Sequence, residues 1–294
     1  MTDFLNLAAG PLALRLAPQM GGGIARFDWI DASGTTPILR GQDAPASVLD
    51  MASFPLVPFV NRIRGGRFDF QEREIRLAPN MCGDPSPLHG QGWLSPWKVE
   101  SACDDAAELG FVHPAGEWPW DYEAHQSFQL DATGLTLALT CRNLSDAPMP
   151  CGLGQHPYFP CTATTRLDTA VTHVWTIDAQ VLPVEKIAAS GRYDLRNRAI
   201  CGQDLDHGFA GWSGQARIHT AGAPFAIRMS SPTARFFQLY SPRDGSLFVA
   251  EPVSHANAAL NAPEECWPEL GMEILEPGET ARLEMRIAVA AAQR

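Results

Sequence analysis

The chain has 294 residues, 45% hydrophobic and 19% charged, with a formal net charge of −11 and a pI near 5.1. That composition is globular rather than disordered, and its acidity excludes nucleic acid or anionic membrane as main partner, because nothing neutralises phosphates at scale. No apolar run approaches the roughly 20 residues of a membrane span, and the N-terminus lacks the basic and apolar regions of a signal peptide. Residues 11–17 alternate apolar with small or polar, meet Gly21-Gly22-Gly23, and a strand-like run resumes from Ile24 to Ile30. Two strands hinged on glycine are predicted. Gly65-Gly66 then turns the chain into Arg67-Phe68-Asp69-Phe70, with Gln71 to Leu77 pairing back.

Residues 79–97 are rich in Pro, Gly and Trp, have no period, and contain Leu88-His89-Gly90. A long irregular loop inside a globular chain points to function. A hairpin is predicted from Tyr122 to Arg142: Leu135, Leu137, Leu139 and Cys141 share one face, and Thr136, Ala138 and Thr140 the other. Strands follow over Gly214–Met229, Arg235–Tyr240 and Leu247–Ala250. In a last strand Leu283, Met285 and Ile287 face the core. Only short helical turns are expected, the best at Ala256–Asn261. With no repeat or linker dividing the chain, the expectation is one all-β domain over 1–294, a large sandwich.

Seven cysteines (82, 103, 141, 151, 161, 201, 266) include no Cys-x-x-Cys and no short Cys/His spacing. An odd count without a secretion signal favours reduced thiols and a cytoplasmic location. The even spacing of Cys141, Cys151 and Cys161 is too wide for a metal pair and is read as coincidence.

Polar residues stand out at five places. Asn61-Arg62 follows the apolar run Phe54–Val60, which draws Arg62 inward, although surface exposure is the default for arginine. His89 lies in the irregular loop, where a backbone-bonded histidine is the plain alternative. His156 sits between glycines and a rigid segment in Gly152-Leu153-Gly154-Gln155-His156-Pro157-Tyr158-Phe159. Asp206-His207 occupies a loop opened by Asp204, where turn chemistry is the usual reading. Glu251 ends the apolar strand Leu247–Ala250, where a carboxylate costs desolvation unless something needs it. Together they offer an acid–base pair with a polar clamp. No His-x-x-x-His, Gly-x-Ser-x-Gly, Gly-x-Gly-x-x-Gly or Walker loop is present, so neither metal, nucleophile nor nucleotide cofactor is indicated. Cofactor-free proton transfer is the chemistry left.

These residues resemble the aldose 1-epimerase (galactose mutarotase) family over nearly the whole chain. Asn61-Arg62-Ile63 resembles its Asn-Arg-Ile motif, Leu88-His89-Gly90 its sugar-binding His-Gly loop, and His156-Pro157-Tyr158-Phe159 its His-x-Tyr-Phe motif. Leu205-Asp206-His207-Gly208-Phe209 is similar to its substrate loop, Glu251-Pro252 with Asn261 to the stretch carrying the base, and Leu275–Glu279 to its closing Leu-x-Pro-Gly-Glu. The resemblance implies a galactose-mutarotase-like β-supersandwich that interconverts the anomers of a free monosaccharide, as a monomer or homodimer. Glu251 would take the C1 hydroxyl proton while His156 protonates the ring oxygen, so His156 starts protonated and Glu251 ionised. Asn61, Arg62, His89 and Asp206 would hold the sugar. The chain departs from the family at Val57–Val60, Pro160-Cys161 and Val253–His255, all around the sugar rather than at the acid and base.

Three alternatives remain open. A hexose-6-phosphate 1-epimerase would need a cationic phosphate site, for which Arg62, Arg64 and Arg67 are the local candidates. A sugar sensor would need neither His156 nor Glu251. A glycosidase would need a second carboxylate, with Asp206 the nearest choice.

Overall fold

The computed structural model describes residues 4–292 and is built almost wholly from antiparallel strands. The N-terminal residues form a four-stranded sheet, Leu5–Ala9, Leu12–Ala17, Gly23–Asp31 and Gly34–Leu39. The predicted Tyr122–Arg142 hairpin becomes strands Tyr122–Asp131 and Gly134–Asn143, paired from Tyr122↔Asn143 to Asp131↔Gly134. The last strand, Thr280–Ala291, joins its open edge. These three lie within a nine-stranded sheet. Leu135, Leu137 and Leu139 are fully buried, as are Leu283, Met285 and Ile287 on the neighbouring strand. Burying each such side chain is worth about 1.5–3 kcal/mol, and the period of two puts all of them on one face.

An eight-stranded sheet carries the chemistry. Its order runs Pro183–Ala188, His173–Ile177, Leu205–Ala210, Phe236–Ser241, Leu247–Val253, Gly154–Gln155 and Pro55–Leu56, with Tyr158–Pro160 also paired to Leu247–Val253. One hydrophobic cluster runs from Leu7 to Val289. A second, with Phe54, Leu88, Trp93, Phe236 and Val253, packs around the site described below. Helix is confined to short turns: Ala259–Asn261, inside the predicted stretch, is a 3₁₀ turn. Trp267–Leu270 is a four-residue α-helix with Pro268 in its first turn, and it ends on left-handed Gly271.

Two expectations change. Cys161 and Cys201 are joined as a disulfide, whereas Cys82, Cys103, Cys141, Cys151 and Cys266 are free. The partners lie 40 residues apart, and only the topology brings their segments together. Asp206-His207 is strand rather than loop, within Leu205–Ala210 paired to Phe236–Ser241. Alternation then sends the two side chains to opposite faces. Among the described residues no helix is long and apolar enough to cross a membrane.

Candidate active site

Strand register sets the floor of the site. Glu251 lies directly across from Gln238, and Asp206 directly across from Tyr240. Val249 is paired with both Tyr240 and Tyr158. Directly opposed residues share a face, as do residues two apart along a strand. Glu251, Gln238, Asp206, Tyr240 and Tyr158 therefore project from one side of the eight-stranded sheet. Gln238 Nε2 donates to Asp206 Oδ1 at 2.9 Å.

The opposite wall comes from residues 54–62 and from the irregular loop. Backbone bonds stitch the two segments together: His89 N–H donates to the Asn61 carbonyl at 3.0 Å, Val57 N–H to the His89 carbonyl and Ile63 N–H to the Pro87 carbonyl. Gly90 has to be glycine here, because its φ is +73° and a Cβ would lie 2.1 Å from the Val57 carbonyl oxygen. Asn61 (φ +60°) and His89 (φ +59°) are both left-handed, a conformation costing of order 1–3 kcal/mol in a non-glycine residue and concentrated at functional sites. They lock one another: the Asn61 amide donates to His89 Nδ1 at 3.1 Å. That bond fixes the neutral tautomer, leaving Nε2 to carry the proton.

Between floor and wall is a cavity of about 340 Å³, within the size range of small-molecule sites. Asn61, Arg62, His89, His156, Asp206 and Glu251 all line it, so the six residues singled out from the sequence converge on one place. Trp93 also lines it; His207 does not, its ring packing on Tyr193 instead. His156 Nε2 is 3.6 Å from Glu251 Oε1. Glu251 is 2% exposed, and its Oε2 has no hydrogen-bond partner in the protein. The His156 ring stacks on Phe54 at 4.5 Å and meets Tyr158 at 4.6 Å. Behind it, the Arg40 guanidinium lies 3.6 Å over the Tyr158 ring.

Burial governs the protonation states. It lowers His156 to about 3 and pushes the Glu251 carboxyl well up, with the neighbouring Asp206 charge adding to the latter. Burial likewise holds His89 well below the usual histidine range and raises Asp206. The unliganded site thus favours neutral His156 with protonated Glu251, the reverse of the starting charges the resemblance implies.

The glycines before His156 are there for space rather than flexibility. Neither Gly152 nor Gly154 has a positive φ. A Cβ on Gly152 would lie 1.9 Å from His255 Cδ2, and His255 Nε2 in turn accepts the Val60 amide at 2.8 Å, next to Asn61. Gly152→Ala is therefore expected to destabilise the protein by about 1–3 kcal/mol through overpacking. Unfolding in urea measures this; an unchanged midpoint would show that His255 yields freely.

Sequence reasoning missed Gln238 and Asp84. Gln238 carried a readable signal, a glutamine inside the apolar strand Phe236–Ser241. Asp84 carried none, since an aspartate before proline reads as turn chemistry. Its Oδ2 accepts from Arg62 Nε at 2.8 Å. Asn261, placed by the resemblance near the base, is a brace: its side chain bonds the Arg64 amide and the Arg64 and Arg67 carbonyls. Asn257 similarly accepts the Arg62 amide. Among the described residues no three His, Cys, Asp or Glu side chains are grouped to hold a metal.

The fold is galactose mutarotase-like. A galactose mutarotase-like protein from Clostridium acetobutylicum superposes with a TM-score of 0.86 at 19% identity, over 99% of this chain and 96% of that one. A provisionally assigned aldose 1-epimerase from Escherichia coli K12 gives 0.90 at 34% identity, over 99% and 100%. The chain belongs to the aldose 1-epimerase family, whose model matches residues 15–288. It is also 35% identical to the uncharacterized protein YphB of Escherichia coli K12, over 97% of this chain and 98% of that protein.

Proposed function

We propose that this protein is a cofactor-independent mutarotase, interconverting the α and β anomers of a free aldose by opening and reclosing the ring. The observation that carries this is the 3.6 Å approach of His156 Nε2 to Glu251 Oε1 in a cavity lined by polar side chains. The anomeric hydroxyl and the ring oxygen are bonded to the same carbon, so an acid and a base acting on them must stand close together. Retaining glycosidases, by contrast, set two carboxyls about 5–5.5 Å apart, and inverting ones still further.

Glu251 takes the C1 hydroxyl proton and His156 delivers one to the ring oxygen. The C1–O bond to the ring opens, the C1–C2 bond rotates, and the aldehyde recloses on its other face with the roles reversed. The pair needs one proton between its members. Neutral His156 with protonated Glu251 contains that proton already, and moving it from Oε1 to Nε2 generates the reactive charges without exchange with solvent. Arg62, Asn61, the Nε2 proton of His89, Asp206 and Gln238 hold the remaining hydroxyls and orient the ring.

The test is anomeric exchange followed by polarimetry or NMR over free hexoses, pentoses and 6-deoxy sugars. Acceleration of at least one of them above the buffer rate is expected. Sugar binding with no acceleration of any free aldose would instead make the protein a sensor.

A further inference from the structure

Asp84 stands outside the acid–base machinery yet forms a part-buried ion pair with Arg62 at the edge of the cavity. Its Oδ2 is 2.8 Å from Arg62 Nε, with the two side chains 9% and 13% exposed. The other end of the guanidinium is also engaged, since Nη1 donates to Asn61 Oδ1 at 3.1 Å. The second oxygen of Asp84 accepts the Ser86 amide at 2.9 Å, which anchors the carboxylate to its own turn. Asn80 braces that loop from the same side, accepting the Leu88 amide and donating to the Leu88 and Gly90 carbonyls. Asp84 is thus a fixed counter-charge that aims Arg62.

Among the described residues lining the cavity, Arg62 carries the only guanidinium or ammonium group, whereas Asp206 and Glu251 are both carboxyls. Arg40 lies behind Tyr158 and bonds the Met51 and Leu49 carbonyls. Arg64 pairs with Asp178 and bonds the Pro183 carbonyl. Once Asp84 neutralises Arg62, no uncompensated cation faces a ligand, and the acidic groups lining the cavity are the Asp206 and Glu251 carboxyls. An anionic sugar entering this site meets two carboxyls, with the one guanidinium already committed to a third. Like charges brought together at a desolvated surface suppress wrong partners strongly.

We propose that Asp84 is a positioning and specificity-determining residue: by pairing with Arg62 it directs the guanidinium to sugar hydroxyls and confines the site to uncharged aldoses. Sugars carrying a phosphate or carboxylate are rejected. This rests on the cavity being the sugar site of the proposed mutarotase.

Asp84→Asn is nearly isosteric and keeps an oxygen for the Ser86 amide while removing the charge. Asp84→Glu keeps the charge and displaces it. Binding is read calorimetrically with the methyl glycosides of glucose, galactose and xylose against the methyl uronides of glucose and galactose, none of which can mutarotate. In the wild type, the best neutral glycoside should bind at least about tenfold more tightly than either uronide. Asp84→Asn should narrow that ratio by about tenfold, and Asp84→Glu should preserve it. For the preferred free aldose, Asp84→Asn should raise KM while leaving kcat within about threefold, as expected when ground-state and transition-state binding are lost together. A wild-type uronide preference, or an equal shift of the ratio in both variants, overturns the inference and leaves the mutarotase reading standing. If no glycoside binds, the sugar-site reading itself fails. Even if a variant does not fold, a wild-type uronide preference is enough to overturn the inference.

Discussion

Glu251→Gln is expected to cut kcat/KM for anomeric exchange by about 10²–10⁴-fold, the range typical of losing one acid–base group. The folded protein should survive the change. Burial pushes the Glu251 carboxyl well above its ordinary range, which favours the uncharged side chain in the fold. Glutamine has nearly the same shape and the same charge, and it faces Gln238 across the strand pair. Rate and stability therefore separate: the exchange rate collapses while the melting temperature holds or rises. His156→Asn should be comparably slow, and the double variant scarcely slower than either single one, because the two groups work as a unit. Full activity in Glu251→Gln would sink the assignment of the base. A large fall in melting temperature would instead show that the buried carboxyl is ionised in the fold.

The same protonation states predict the pH–rate profile of the free enzyme. The pair works with one proton, so activity falls when it gains a second or loses its only one. Gain of the second is the titration of His156, lowered to about 3. Loss of the only proton follows the raised Glu251 carboxyl. The profile should therefore show no acid limb near 6.5, the usual midpoint for a solvated histidine. An acid limb centred there in kcat/KM would place His156 in a far wetter environment than its stacking on Phe54 allows.

How far the sequence could be read depended on the kind of order involved. Local alternation is local information, and the hairpin from Tyr122 to Asn143 followed directly from it. Glu251 was legible because a carboxylate inside an apolar strand is costly, and the same logic would have found Gln238 had it been applied to Phe236–Ser241. Asp206 is singled out as a sugar-binding candidate but placed in a loop, because Asp204 and Gly208 flank it; strand pairing with Phe236–Ser241 overrides that local tendency. Asp84, and the Cys161–Cys201 pair, depend on contacts across 22 and 40 residues that no local pattern encodes. The resemblance to a family located six of the residues now seen around one cavity. It carried no information about their burial, which is what reverses the expected charges on His156 and Glu251.

Stability should be greatest near neutral pH and fall on acidification, and the buried histidines set the sign. Burial lowers His207 and His255 to about 4, His156 to about 3, and His89 well below its usual value. In the unfolded chain all four take up a proton as pH drops below about 6.5. The native state binds none of these protons until about pH 4 for His207 and His255, so unfolding is favoured through that whole window. Glu251 and Asp206 work in the opposite direction: both are raised by burial, and protonation stabilises them in the fold. His113 is lowered by burial as well, and Glu108 and Glu273 are raised by it, so five histidines oppose four carboxyls; the balance still takes up protons on unfolding near about pH 5.5, and stability falls as pH falls. Above neutrality the histidine contribution is complete, and the only trend left from these groups is a decline as Glu251 is forced to ionise. Urea unfolding at a series of pH values tests this, with midpoints expected to fall continuously from pH 7 to pH 5. Flat midpoints across that interval would mean that the buried imidazoles are charged in the fold, and with them the protonation states on which the His156–Glu251 mechanism depends.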